Sequence, residues 1–337
     1  MAALVRLHVP AHMLDRDGAG VPQFYRRVLD QLQGIGATTA ILRRDYDALA
    51  LPQGQDFDLV HNGGVRRVQA LNLAPAYLPG FYYLDPAGIY FDSSIATRTF
   101  RPGIIEPQYA APFVAELRCK WVAARKSRYA QPVAVEAFGQ GHIAVFLQDW
   151  SDPVERARHL TALEMVKTVV KGAGGRQVVV KPHPNNAARE TQKIRQWLVR
   201  HHPQVRLTEA NIHDILAGAA VTVSISSSVA LEGMLHHVPA VLFGRSDLHH
   251  CAETVVTPAD WPGALTRALD RDWPFDAFLL WFLRRQNVDA GRPFLAKVLD
   301  RMRDQGADLA ALGIGAGPNG RRCDCPDQVF PWHPFPD

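Results

Sequence analysis

No stretch of this 337-residue chain reaches the roughly 18 consecutive apolar residues that a membrane-spanning helix needs. Its amino terminus lacks the basic lead and long apolar core of a secretory signal. Met1 to Pro10 reads instead as a short strand carrying Arg6 and His8. These two absences point to the cytoplasm. Cysteine is scarce, with only 4 in the chain. Cys119 and Cys251 stand alone, and Cys323 and Cys325 form a C-x-C near the carboxyl end. That is neither a disulfide framework nor the paired C-x2-C of a zinc site, so a reduced pair in a tail is expected. Charge of one sign is missing too. Lys and Arg number 37 against 33 Asp and Glu, a formal net of +4 with no concentrated basic stripe. This argues against nucleic acid as a partner. It leaves room for a weakly basic cleft that takes an anionic small molecule, or for loose attraction to an acidic membrane surface. A dinucleotide fingerprint is also lacking: Gly18-Ala19-Gly20 is followed by Gln23 where the third glycine belongs.

What is present fits an ordinary globular protein, 47% hydrophobic and 21% charged. The length is about twice that of a typical domain, so two domains are expected. The first half alternates strand and helix. Leu4 to Val9 is a strand, Asp15 to Pro22 a loop, Gln23 to Gln33 a helix, and Thr38 to Leu42 and Asp58 to His61 are strands. This is the β-α-β grammar of a parallel sheet. Pro75 to Pro112, rich in aromatics, Pro and Gly, is expected to be mostly loop. A break near Gln131 to Gly141 precedes a clean restart. Strands are expected at Ile143 to Leu147, Gln177 to Val180, Val221 to Ile225 and Ala240 to Phe243, with a helix over Pro153 to Lys171. The expected boundaries are a first domain over 1–138, a second over 139–305, and an irregular tail over 306–337. Phe278 to Leu283 is apolar nearly all round, as in a helix buried between layers.

In open parallel sheets ligands bind beyond the carboxyl ends of the strands, so the loops there carry the functional reading. Ser224 to Glu232 reads S-I-S-S-S-V-A-L-E across a strand-to-helix turn. Ser226, Ser227 and Ser228 beside a helix start make an anion site, although one serine would serve as a plain cap. Glu232 shares a helix face with Ser228 and is placed to accept hydrogen bonds from ribose hydroxyls. Lys181-Pro182-His183-Pro184 follows another strand. Its two prolines stiffen the loop and hold Lys181 and His183 in place, as suits a phosphate; a rigid surface turn is the plain alternative. Gln148-Asp149-Trp150-Ser151-Asp152 follows a third strand. Asp152 before Pro153 reads as a helix start, while Asp149 stays open as a catalytic carboxylate. In the first half, Asp85 lies in a D-P-A-G turn among tyrosines and Glu106 follows. Asp85 is either a turn residue or a partly desolvated catalytic acid.

The pairing of K-P-H-P-N with S-I-S-S-S-V-A-L-E-G-M-L-H-H-V-P-A-V-L-F-G resembles the capsule polysaccharide biosynthesis family of glycosyltransferases, which includes Kdo transferases that use CMP-Kdo. D-P-A-G-I and F-L-L-W-F-L-R-R are similar to that family as well. The resemblance spans roughly residues 75 to 300 and is more specific in the second half. It implies a GT-B-like α/β fold, with two Rossmann-like parallel-sheet domains, a cleft between them, and C-terminal helices crossing back. It also implies a metal-independent transfer without a cofactor, from a nucleotide-sugar donor, CMP-activated by preference, to a glycan or glycolipid acceptor. On that resemblance Lys181, His183 and Ser226 to Ser228 hold the donor phosphate and Glu232 the ribose; the catalytic carboxylate does not carry over from the family, and Asp85, Glu106 and Asp149 are the candidates for it.

Two other readings stand beside it. A CDP-polyol phosphotransferase of the teichoic-acid type also has an H-P and a serine loop, but its usual D-Y-S-S differs from Ser224-Ile225-Ser226-Ser227. A non-catalytic nucleotide or glycan binder would keep the fold alone. Peripheral association with the inner membrane rests only on Arg43-Arg44 and the aromatic tail residues Phe330, Trp332 and Phe335, each of which has an ordinary surface explanation.

Overall fold

Alternating apolar runs and Gly-punctuated helices build two six-stranded sheets in the computed structural model, which describes residues 3–18, 20–52, 54–148, 152–184 and 189–315. In the first half the order is β1 (Leu4–Val9), α1 (Ala11–Gly18), α2 (Gln23–Gly34), β2 (Thr38–Arg43), β3 (Phe57–His61), β4 (Ala70–Pro75), β5 (Phe81–Asp85) and α3 (Pro107–Leu117). The second half runs β6 (His142–Phe146), α4 (Asp152–Ala157), α5 (Ala162–Lys171), β7 (Val178–Lys181), α6 (Arg189–His201), β8 (Arg206–Leu207), α7 (Ile212–Gly218), β9 (Ala219–Ser224), α8 (Val229–Met234), β10 (Ala240–Leu242), β11 (Glu253–Thr254), α9 (Trp261–Asp270) and α10 (Phe275–Leu280). It closes with β12 (Val288–Asp289) and α11 (Leu295–Asp304). No helix among the described residues is long and apolar enough to cross a membrane.

By compactness the chain forms two units. One holds Met1–His61, Arg67–Leu71 and the segment that begins at Leu295; the other holds Asn62–Arg66 and Asn72–Phe294. In the first unit, β1 pairs in parallel with β2 and with β3. Helix α2 buries Phe24, Tyr25, Val28, Leu29 and Leu32, a single apolar stripe at helical spacing. The chain returns to this unit at its end, where α11 packs on α2. Asp58 is fully buried and accepts from Arg6, His8 and Arg67, which hold its carboxyl far below the usual carboxylate range despite burial. The loop expected over 15–22 is helical up to Gly18.

The first sheet has the order β12-β5-β4-β3-β1-β2, and the second β11-β10-β9-β6-β7-β8. The second is parallel in every pair observed. The first is not, since β5 runs antiparallel to both β4 and β12. The reason is length: Ala76 to Gly80 is far shorter than the dozen or so residues a parallel crossover needs. Gly80 turns the chain at φ 95°, and Ala76 N–H bonds the Phe81 carbonyl across the turn. A second departure is the break between α4 and α5, where one helix was expected. His159 N–H bonds the Phe243 carbonyl and Arg158 bridges Gly244, so the chain leaves the helix to extend the sheet. Helix α5 then restarts with a capping box, Thr161 and Glu164 exchanging hydrogen bonds. The apolar run after Pro274 is buried as expected. It forms α10 and then a π-turn over Trp281–Gln286, with α3 packed on α10.

Candidate functional site

Four adjacent strands of the second sheet, β10-β9-β6-β7, deliver their carboxyl ends to one edge, where an open parallel sheet presents its ligand. A cavity of about 400 Å³ lies there, entirely within the larger unit. It gathers residues far apart in sequence, among them Lys181 and His183 after β7, Ser226 to Ser228 after β9, and Glu232 on α8.

The serine loop is held by its own side chains. Ser224 Oγ accepts from the Ser227 N–H at 3.2 Å, and Ser227 Oγ accepts from the Val229 N–H at 3.2 Å. Gln148, at the end of β6, accepts from the Ser226 N–H at 2.7 Å and donates to its hydroxyl at 3.4 Å. Ser228 occupies the N-cap of α8 yet makes no capping bond with its side chain. Capping therefore falls to Ser227, and Ser228 is not explained as a cap. Helix α8 has only 6 residues, so its dipole is weak and an anion here depends mainly on hydroxyls and neighbouring cations.

Lys181 and the His183 imidazole sit one strand beyond β6. Lys181 is 6% exposed and donates to the Glu209 carbonyl at 2.9 Å; burial pushes its pKa down. His183 is half-buried, with its ring edge-on to Tyr129 at 4.8 Å. Glu232 is 1% exposed; its Oε1 accepts from Ser127 Oγ at 3.1 Å and its Oε2 has no hydrogen-bond partner among the described residues. Desolvation pushes its carboxyl up to about 8, and the Ser127 hydroxyl offsets this only in part.

Ser127, Arg128 and Tyr129 enter the cavity from a segment without regular structure. The start of α7 fixes that segment. Asn211 Nδ2 donates to the Arg125 and Pro132 carbonyls, each at 3.2 Å, and Gln131 accepts from the Ile212 N–H at 3.1 Å. Arg125 pairs with Asp214 at 2.9 Å. His213 Nε2 donates to the Lys126 carbonyl at 2.7 Å, which leaves its Nδ1 to accept from His236 Nε2 at 2.9 Å. Both imidazoles are neutral at pH 7, because burial pushes them down, His236 to about 4.

Part of the lining is aromatic, with Tyr77, Tyr90 and Phe91. Tyr77 and Tyr83 donate to the fully buried Asp247 at 2.8 and 2.7 Å, and Ser93 adds a third bond at 2.9 Å. Burial still raises the Asp247 carboxyl to about 7. Two of the five non-glycine residues with positive φ among the described residues, Asn62 at 44° and Tyr90 at 53°, line this cavity. Such backbone persists only where the surroundings enforce it, and it concentrates at functional sites.

Of the candidates named from the sequence, Lys181, His183, Ser226, Ser227, Ser228 and Glu232 come together. Asp85 and Glu106 are not part of the lining. Asp85 is buried and spends both oxygens on the N–H groups of Ala87, Gly88 and Ser94 and on the Ser94 hydroxyl, which is the turn reading. Glu106 is an exposed N-cap of α3 that accepts from Gln108. Asp149, Cys323, Cys325 and the aromatic tail residues lie outside the described residues. Sequence reasoning missed Arg128, Tyr129, Arg245 and the aromatic wall. Arg245 alone left a trace, since it follows an expected strand. Among the described residues no three His, Cys, Asp or Glu side chains gather as a metal site requires.

No protein-family model matches this sequence, and no curated protein is significantly similar to it. Solved structures do superpose on it. A KpsC beta Kdo 2,7 transferase from Thermosulfurimonas dismutans matches with a TM-score of 0.52 at 14% identity, over 90% of this chain and 99% of that one. A KpsC beta Kdo 2,4 transferase from the same organism matches with a TM-score of 0.51 at 17% identity, over 81% and 89%. At such identities the likeness establishes the fold, a GT-B-like pair of α/β sheets.

Proposed function

We propose that this protein is a metal-independent glycosyltransferase that moves an acidic sugar, Kdo or a close relative, from a CMP-activated donor onto a capsule or other cell-surface glycan or glycolipid. The observation that carries this reading is the convergence of Lys181, His183, the three serines and Glu232 on one cavity. The charge there fits a donor with negative groups. Arg128, Lys181 and Arg245 line the cavity, against a single carboxyl among the described residues, Glu232. The two superposed proteins, both beta Kdo transferases, agree in chemistry.

In this reading the serine hydroxyls and His183 bind the donor phosphate, and Lys181 adds a nearby positive field. As the glycosidic bond breaks, charge grows on that phosphate, and donors already in place stabilise it without reorganising. Glu232 accepts from the ribose hydroxyls. Asp149, next in sequence to the cavity residue Gln148, is the proposed catalytic carboxylate; Asp85 and Glu106 are not proposed for that role. Calorimetric titration with CMP, CDP, UMP, UDP and ADP tests the donor class. Selective binding of CMP is expected. A preference for CDP would favour polyol-phosphate transfer, and binding of none of them would overturn the nucleotide reading.

A further inference from the structure

We infer that Arg245 reads the carboxylate of the donor sugar and selects for 2-ulosonic acids, in which that carboxylate sits on the carbon bearing the phosphate ester. This assignment rests on the nucleotide-sugar reading and adds to it the residue that sets sugar specificity.

The argument begins with register. Leu242 of β10 pairs with Ser224 of β9, and the Phe243 N–H bonds the Ser224 carbonyl at 2.9 Å, so the two chains leave the sheet side by side. Arg245 lies as far beyond Leu242 as Ser227 lies beyond Ser224. Neighbouring strands are about 4.8 Å apart where they pair, and Arg245 and the serine loop both line the cavity just beyond that pair. Lys181 and His183 flank it from the other side, beyond β6. A phosphate on the serines therefore has Arg245 beside it on the side away from Lys181 and His183. On this assignment the carboxylate that Arg245 meets is one attached next to the phosphate ester, not one on the far side of a sugar ring.

The guanidinium is already positioned for this task. It stacks over the Phe91 ring at 4.5 Å, and its Nη2 donates to the Arg156 carbonyl at 2.8 Å. The preceding Gly244 has no room for a side chain, since a Cβ there would lie 2.8 Å from Ile225 and 2.9 Å from the Ala157 carbonyl. The backbone below Arg245 is thus clamped. Its neighbours have acidic partners, Arg156 with Asp92 at 3.3 Å and Arg158 with Glu155 at 2.8 Å. Arg245 forms no ion pair among the described residues. A planar cation, fixed on an aromatic face with donors to spare, matches the two oxygens of a carboxylate.

The test is calorimetry on the full chain and its Arg245→Gln and Arg245→Lys variants, with CMP, CMP-Kdo and CMP-N-acetylneuraminic acid. Arg245→Gln is expected to weaken CMP itself, because a cation leaves the phosphate's side of the cavity, so the quantity read is the ratio of acidic-donor to CMP affinity in each protein. At least one acidic donor binds the wild type more tightly than CMP, and Arg245→Gln loses that gain by about tenfold or more, as removal of a charge-assisted hydrogen bond predicts. Arg245→Lys recovers only part of it, because a lysine offers no planar fork. Retention of the full preference in Arg245→Gln would overturn the assignment. So would a wild type that binds CMP but gains nothing from either acidic sugar. Failure of the wild type to bind CMP at all would instead overturn the underlying nucleotide reading, so the two failures are distinct.

Discussion

Replacing Glu232 by Gln removes an ionisation while keeping the shape of the protonated acid. The folded protein holds this carboxyl near 8 against an ordinary 4.5, chiefly because it is buried. The sign follows from proton counting. Below pH 4.5 both folded and unfolded chains carry the proton. Between 4.5 and 8 the unfolded chain loses it while the folded chain keeps it, so stability declines as pH rises. Above 8 the decline is complete. Each pH unit of that interval is worth about 1.4 kcal/mol, giving a total on the order of 5 kcal/mol for a fully buried group. Glu232→Gln should therefore match the wild type near pH 4.5 and exceed it progressively, by that order of magnitude, toward pH 9. The quantity to read is the difference between the two proteins in urea unfolding from pH 5 to 9, because other groups slope the opposite way. His236, held near 4, costs stability as pH falls from 6.5. The same residue should expose itself in binding. Two ribose hydroxyls donate best to an ionised carboxylate, so CMP drives the proton off Glu232. Calorimetry in two buffers of different ionisation enthalpy should show close to one proton released at pH 7 in the wild type and none in Glu232→Gln, with weaker binding in the variant. Parallel stability curves would refute the burial argument, and equal proton release would refute the ribose role.

The other predictions concern the neighbours of Glu232. His183→Ala removes a fixed donor to the phosphate and should lower turnover or donor affinity by about 10²-fold; wild-type kinetics with an acidic CMP-sugar would sink that role. Asp247→Ala leaves the buried hydroxyls of Tyr77, Tyr83 and Ser93 without their acceptor. It should cost about 3 kcal/mol or more in denaturant unfolding, with Asp247→Asn recovering much of the loss. Equal instability of the two variants would show that the hydroxyl bonds are not what Asp247 contributes.

The second sheet was legible because its strands are short apolar runs bounded by Gly and Pro, each followed by a helical period. The site loops were legible for the same reason, as hydroxyls and cations placed immediately after such runs. Most of what sequence reasoning missed depends on pairing at a distance. β5 lies in the stretch from Pro75 to Pro112 whose prolines and aromatics mimic loop, and it is its hydrogen bonding to β4 that makes it a strand. The break at Arg158 comes from competition by the extension of β10, which no local propensity reveals. The stretch carrying Ser127, Arg128 and Tyr129 has no periodicity, and its position is dictated by Asn211 and His213 far along the chain.

Asp85 shows where local chemistry misleads, because a carboxylate among tyrosines looks the same in sequence whether its oxygens are spoken for or not. The two acids that burial raises most clearly, Glu232 to about 8 and Asp247 to about 7, make the distinction physical. Neither environment could be read locally, since each depends on side chains from distant segments. A raised carboxyl marks a candidate site only in a probabilistic sense, because buried structural networks do the same. What separates these two is the fate of their oxygens. Asp247 has hydroxyl donors on both of its oxygens and ties three first-half side chains to the loop after β10. Among the described residues Glu232 has one weak partner, an oxygen left without any, and a place on the wall of the cavity. A buried acceptor left unmatched costs stability, and a ligand bearing hydroxyls at that point would recover it. That deficit, more than the elevated pKa, is what marks Glu232 as the proposed ribose ligand and Asp247 as part of the scaffold.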